Sequence, residues 1–282
     1  MRMSLVFSKE NKWRQTFAGL GFALAMASQQ AAANPDVNLG TANYFAVLAA
    51  SAITSTGATV INGGNVGLSP GSAITGFPPA TITSPYTTHA GDAVALQAQN
   101  DLTTAYNTAA GLARNQTLTG HDLGGLTLTP GVYFFASSAQ LTGTLTLNNE
   151  GNPDAVFVFQ IGSTLTTASD SSVVTINDGL SSVLTPGISV FWQVGSSATL
   201  GIGSVFEGNI LANTSITLNT GANVDGRLLA EFGAVTLDDN NITAPRAENL
   251  GGGSSVPETG PTLLLLGSSF VTLIAFRRRA LA

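Results

Sequence analysis

Two periodicities divide the middle of this chain. From about His89 to Leu112, the residues Val94, Ala98, Leu102, Ala105, Ala109 and Leu112 recur at steps of three and four, which is the apolar stripe of one long helix. Thr88 stands where an N-cap belongs, Asp92 falls in a first turn where a carboxylate suits the helix dipole, and Asn115 lies just past the end. The stripe is mostly Ala, so this helix can lie close against a flat surface as a brace. Elsewhere apolar and polar residues alternate in short runs broken by Gly, Ser, Asn and Asp, the pattern of strands and turns.

Those runs repeat. Val190 to Gly208, Asn209 to Gly226 and Arg227 to Ala244 align on a central Leu with a period of 18 to 19 residues. Each opens on an apolar strand (Val190-Phe191-Trp192, Asn209-Ile210-Leu211, Arg227-Leu228-Leu229). A Thr-Leu strand follows (Ala198-Thr199-Leu200, Ile216-Thr217-Leu218, Val235-Thr236-Leu237), and a short third segment closes the unit. Phe157 to Thr167 matches the Trp192 unit step for step, another copy starts at Tyr133, and irregular copies lie in Ser51 to Gly57 and Ser72 to Gly76. One such unit cannot bury its apolar face alone, whereas stacked units can. The repeat therefore predicts an all-β-dominated parallel β-solenoid with the helix packed alongside.

Alternation assigns the two sides of the Thr-Leu strand. Leu200, Leu218 and Leu237 share a side with Ala198, Ile216 and Val235, and that side points inward. The outward column one step before each central Leu is predicted to hold Thr142, Thr166, Thr199, Thr217 and Thr236, joined by Thr54 and Thr75 from the irregular copies. A neighbouring column holds Gln140, Thr164, Ser197, Ser215 and Ala234, and a third holds Thr56, Ala168, Gly201, Asn219 and Asp238. Coils stack roughly 4.8 Å apart and alternate residues on a strand lie roughly 6.6 Å apart, so these side chains form a two-dimensional lattice. Each Thr offers a methyl and a hydroxyl on a stiff stem. Such a lattice can order water, and ice is its natural ligand.

Composition narrows the alternatives. Only 9% of the 282 residues are charged, against roughly 25% in ordinary domains. Cys is absent, which excludes disulfides, thiolate metal sites and thiol catalysis, and two His leave little for a metal or proton relay. Seven of the ten Lys and Arg sit at the two ends, leaving Arg114, Arg227 and Arg246 in the body, so nucleic-acid binding is excluded. Polysaccharide-cleaving β-helices use clustered carboxylates with Lys or Arg. In this chain Asp154, Asp170, Asp178 and Asp225 read as turn residues, and Asp238-Asp239 is the single adjacent pair. No enzymatic activity, cofactor or metal is expected, and the chain is expected to be a monomer.

The ends read as targeting segments. Residues 1–33 carry a basic stretch (Lys9, Lys12, Arg14), the apolar run Phe17 to Met26 and the small-residue site Ala31-Ala32-Ala33, a secretory signal cleaved after Ala33. The body spans residues 34–250. Residues 251–255 form a Gly/Ser linker, and residues 256–282 hold the motif Val256-Pro257-Glu258-Thr259-Gly260, a short membrane segment over 263–276 and Arg277-Arg278-Arg279. This order resembles the PEP-type, VPxxG-like C-terminal sorting signals of Gram-negative bacteria. The resemblance implies transient anchoring in the inner membrane, cleavage by an exosortase-like protease, and delivery to the cell envelope or outside.

A second resemblance covers about Val37 to Thr243. Asn38-Leu39-Gly40, Phe45-Ala46-Val47-Leu48-Ala49, Ser69-Pro70-Gly71-Ser72, Gly124-Gly125-Leu126, Thr129-Pro130-Gly131-Val132-Tyr133, Asn152 through Ile161 and Val190 through Gly195 are similar to the microbial ice-binding-protein-like family. The resemblance implies a right-handed, triangular, discontinuous solenoid whose N- and C-terminal coils are neighbours in space. It further implies ice contact through one flat face, with antifreeze activity, inhibition of recrystallisation or adhesion to ice. The candidate contact residues are Thr54, Thr56, Thr75, Thr142, Thr164, Thr166, Ser197, Thr199, Ser215, Thr217, Asn219 and Thr236, with Gln140, Ala234 and Asp238 as interruptions. The competing reading is a cell-surface adhesin or biofilm-matrix protein with the same fold and no ice activity.

Overall fold

A computed structural model describes residues 35–177 and 189–245. Within them the alternation of the repeats becomes three parallel sheets of nine, seven and eight strands. Each full coil gives one strand to each sheet. The last full coil, for example, runs Leu228–Ala230, Val235–Asp238 and Asn241–Thr243. The inward residues are apolar and fully covered: Ala198, Leu200, Ile216, Leu218, Val235 and Leu237 are at most 1% exposed.

The inner side of the first sheet carries a ladder of rings that ends on Phe206 of the third sheet. Tyr133 stacks on Phe159 at 5.5 Å, Phe159 on Trp192 at 3.9 Å and 8° between planes, and Phe206 closes the run at 4.8 Å. In-register pairing of Tyr133 with Phe159 and Phe159 with Trp192 places like rings one above another. The indole N–H of Trp192 donates to the Glu207 carbonyl at 3.0 Å, so the buried ring leaves no orphaned donor.

The coils are not stacked in chain order. Ile53, Thr54, Ser55 and Thr56 pair with Val235, Thr236, Leu237 and Asp238, and the flanking strands pair likewise, Val47 with Leu228 and Ile61 with Ile242. The N-terminal coils thus continue the solenoid beyond its C-terminal coil.

The helix runs Ala93–Gly111, four residues later at its start than the periodicity predicts. Thr88–Ala90 is a strand instead, laddered to Val66–Leu68 at the edge of the first sheet. Gly91, with φ +67, separates strand from helix, and Asp92 is the N-cap, its Oδ1 accepting from the Ala95 amide at 2.8 Å. The buried stripe is accordingly Ala95, Ala98, Leu102, Ala105 and Ala109, while Val94 points to solvent. It packs on Leu48, Val132, Val158, Phe191, Leu211 and Leu229, the outer residues of the first sheet. Gln160, and not Asn115 just past the end, closes the far end of the helix. Its Nε2 donates to the carbonyls of Ala109, Ala110 and Leu112 at 2.8, 3.2 and 3.0 Å, satisfying groups a helix C-terminus leaves open. Asn115 instead accepts from the Val132 amide at 2.7 Å.

Among the described residues no helix is long and apolar enough to cross a membrane. The signal segment, the linker, the Val256–Gly260 motif, the apolar run 263–276, Asp178 and Arg246 lie outside the described residues.

Candidate functional site

One face of the solenoid that the helix does not cover is rich in hydroxyl-bearing side chains. It is the outer surface of the second sheet, whose strands run Ala139–Leu141, Leu165–Thr167, Ala198–Leu200, Ile216–Leu218, Val235–Asp238, Ala52–Thr56 and Ala73–Thr75 in spatial order. Strict parallel register makes its middle a single file: Gln140, Thr166, Thr199, Thr217, Thr236, Thr54 and Thr75. The residues on either side of each Thr point inward, which fixes the hydroxyls and methyls outward.

The first coil departs from the predicted columns. Leu141 pairs with Thr167, so Gln140 and not Thr142 enters the central file, and Thr142 falls two residues later, in the column of Ala168, Gly201, Asn219, Asp238 and Thr56. The physical reason is the corner. Phe135 to Ala139 spans the same four-residue step as Ile161 to Leu165, so the coils stay in phase and Leu141 takes the position of Leu200. The other flanking column runs Ser138, Thr164, Ser197, Ser215 and Ala234, with Ser138 in the place predicted for Gln140.

Hydrogen bonding separates the columns. Among the described residues, the hydroxyls of Thr54, Thr75, Thr166, Thr199, Thr217 and Thr236 bond to no protein group. The flanks are tied inward. Thr164 donates to Ser138 Oγ at 2.9 Å, Ser197 Oγ accepts from the Ser215 amide at 3.3 Å, and Ser215 Oγ accepts from the Ala234 amide at 3.2 Å. Thr56 donates to Asp238 at 2.8 Å. The face therefore presents one file of hydroxyls without protein partners, bordered mainly by hydroxyls that each engage a neighbouring protein group.

Charge is nearly absent from this surface. Asp238 is the one charged side chain within the three columns, and its carboxyl is held below the ordinary range by hydroxyl donors from Thr220 and Thr56. Beyond Gln140, the isolated bridge from Asp122 ends the file. Burial raises the Asp122 carboxyl, but the amides of Thr142 and Gly124, at 2.9 and 2.6 Å, outweigh that and hold it low. Sequence reasoning missed Asp122 and Ser138 as parts of this surface. The turn Gly124-Gly125 beside Asp122 was a usable signal, since a side chain accepting from nearby amides is how such turns close.

The remaining candidate chemistry is scattered. His89 Nδ1 lies 2.8 Å from Asp92 Oδ2 at the helix start, the Arg114 guanidinium lies 3.3 Å over the Phe134 ring, and Arg227 is buried against Asn43, Asn209 and Pro245. Asp225 ends a strand of the third sheet and does not sit in a turn. Among the described residues no group of three or more His, Asp and Glu is placed to hold a metal.

A discontinuous parallel solenoid with one braced side and one nearly uncharged hydroxyl lattice is the architecture of a protein that meets an extended, regular surface. The chain belongs to the Ice-binding-like family, whose model matches residues 47–243. It is 56% identical over 248 residues to an ice-binding protein of Nostoc sp. (strain HG1), covering 86% of this chain and 87% of that one. Among solved structures it is similar to an ice-binding protein from an Antarctic biological consortium, with TM-score 0.70, 45% identity, and 77% of this chain and 94% of that one covered. It is likewise similar to the ice-binding protein of the Antarctic ascomycete Antarctomyces psychrotrophicus, with TM-score 0.68, 41% identity, and 75% and 99% covered.

Proposed function

We propose that this chain is an exported, non-catalytic protein that binds ice through the Thr-rich face of the second sheet, with the central file as the contact. The observation that carries this reading is the file itself: six Thr in unbroken register, rigidly mounted, with hydroxyls free of internal partners. Methyls on a fixed lattice leave spaces for a cage of water, and the free hydroxyls anchor it. Because the strands already hold these groups in place, little ordering entropy is lost on contact. Thr56, Thr142, Thr164, Ser197, Ser215 and Asn219 border the file and complete the flat surface. Residues 1–33 serve export, and Val256-Pro257-Glu258-Thr259-Gly260 with the tail serves sorting by an exosortase-like protease. Both assignments are tested by the intact mass of the mature protein, and mature protein still carrying Arg277 to Arg279 would overturn the sorting step.

The test of the site is steric. Thr217→Tyr raises a bulky ring at the middle of the file, between Thr199 and Thr236. Tyr suits a strand, so stability should change by less than about 1 kcal/mol. The control is Val205→Tyr, at a residue of the third sheet that is 53% exposed. With matched melting curves, Thr217→Tyr should lose thermal hysteresis and recrystallisation inhibition while Val205→Tyr keeps both. Equal activity in the two variants would show that another surface is used, and an inactive parent protein would favour the adhesin reading.

A further inference from the structure

The Thr face is assembled from two stretches of chain that are not contiguous, and the join falls within it. From Ala139–Leu141 to Val235–Asp238 the strands follow one another along the chain. Ala52–Thr56 then docks on Val235–Asp238, although 182 residues separate Thr56 from Asp238. No turn of chain limits how far one part slides or tilts on the other at this point. The ladder and the side chains must do so.

Asp238 sits on the join. Its Oδ1 accepts from Thr56 Oγ1 at 2.8 Å across the seam, and its Oδ2 accepts from Thr220 Oγ1 on the preceding coil. Its own amide donates to Asn240 Oδ1 at 2.6 Å, which fixes the residue's backbone. One carboxylate therefore ties three consecutive coils together. The next residue reinforces the seam: Asp239 Oδ1 accepts from the Ala58 amide at 2.5 Å. Gly57 makes room for it, since a Cβ on Gly57 would lie 2.1 Å from that oxygen.

The geometry points to Asp238 as a positioning residue of the ice-contacting face, holding Thr54 and Thr75 level and in register with Thr236, Thr217, Thr199 and Thr166. This rests on the proposed ice contact. The competing view treats Asp238 as an interruption, a free charge that keeps its own hydration shell and weakens the face. The two views differ in sign. Both carboxylate oxygens are occupied by internal hydroxyl donors, which is what a clamp requires.

The experiment compares variants of the full chain under conditions where their melting curves superimpose. Asp238→Ala should lose most of the thermal hysteresis and recrystallisation inhibition. Asp238→Asn, which can accept one hydroxyl and donate to the other, should restore them, so that loss and rescue track the clamp and not the charge. Thr56→Val with Thr220→Val leaves the charge and removes both donors, and it should reproduce the loss. This pair of near-isosteric changes keeps the inference open to refutation if the Ala variant fails to fold, because full activity without the two donors overturns it. Activity in Asp238→Ala equal to or above the parent, or full activity in the double Val variant, overturns the inference, provided Thr217→Tyr abolishes binding. If Thr217→Tyr leaves activity intact as well, the proposed ice face itself fails.

Discussion

Replacing Arg227 by Met should destabilise this protein by roughly 2–4 kcal/mol, a large effect for one side chain. Arg227 is 3% exposed, and its hydrogen-bond partners among the described residues include no carboxylate. Its guanidinium donates to the Asn43 carbonyl through Nε at 3.1 Å and Nη2 at 2.9 Å, to Asn209 Oδ1 at 3.1 Å and to the Pro245 carbonyl at 2.6 Å. Asn43 precedes the first strand and Pro245 follows the last, so one side chain ties both ends of the described body to the coil at the seam. Burial lowers its pKa to about 10, with Tyr86 acting weakly the other way, and at neutral pH it stays charged. Met fills much of the volume but strands three acceptors, each costing roughly 1–3 kcal/mol when buried. Release of the buried charge offsets part of that. At about 2–4 °C per kcal/mol for a body of this size, the melting temperature should fall by roughly 5–15 °C. Arg227→Lys keeps the charge without the planar fork and should fall in between. Circular dichroism melting decides the matter. An Arg227→Met protein as stable as the parent would refute the reasoning, because it would mean the stranded carbonyls find water or never needed the guanidinium.

Two further outcomes are expected. Gln140→Thr extends the Thr file to its last strand, so recrystallisation inhibition should rise with little change in melting; unchanged activity would place the edge coil outside the contact. Burial pushes the Glu207 carboxyl up to about 7, its neighbour Asp225 adds to this and the Thr175 hydroxyl partly offsets it. A folded-state pKa above the unfolded value means stability that is present below about pH 4.5 and lost as pH rises through about 7. Glu207→Gln should therefore flatten that decline and raise the melting temperature at pH 8, by the equivalent of about 1 kcal/mol; a parent protein whose melting temperature climbs between pH 5 and 8, with no change in the Gln variant, would contradict it.

What the amino-acid sequence determined by itself is whatever one strand or one coil decides locally. Leu200, Leu218 and Leu237 turn inward and Thr199, Thr217 and Thr236 outward because successive side chains on a strand alternate, and apolar ones cannot face water in bulk. The repeat of 18 to 19 residues, the mostly Ala character of the helix stripe and the near absence of charge on the Thr face follow in the same way. Tertiary structure decided what depends on residues far apart in the chain. Register through the four-residue corner at Phe135–Ala139 put Gln140 in the file and moved Thr142 out of it. Strand pairing with Val66–Leu68 claimed Thr88–Ala90, which helical periodicity alone would have given to the helix. The pairing of Thr54 with Thr236 and the reach of Asp238 to Thr56 exist only once two distant stretches meet. The same holds for the free or engaged state of each hydroxyl: alternation says that Thr56 and Thr217 both point outward, and only the neighbouring coil says which of them keeps its hydroxyl for the solvent.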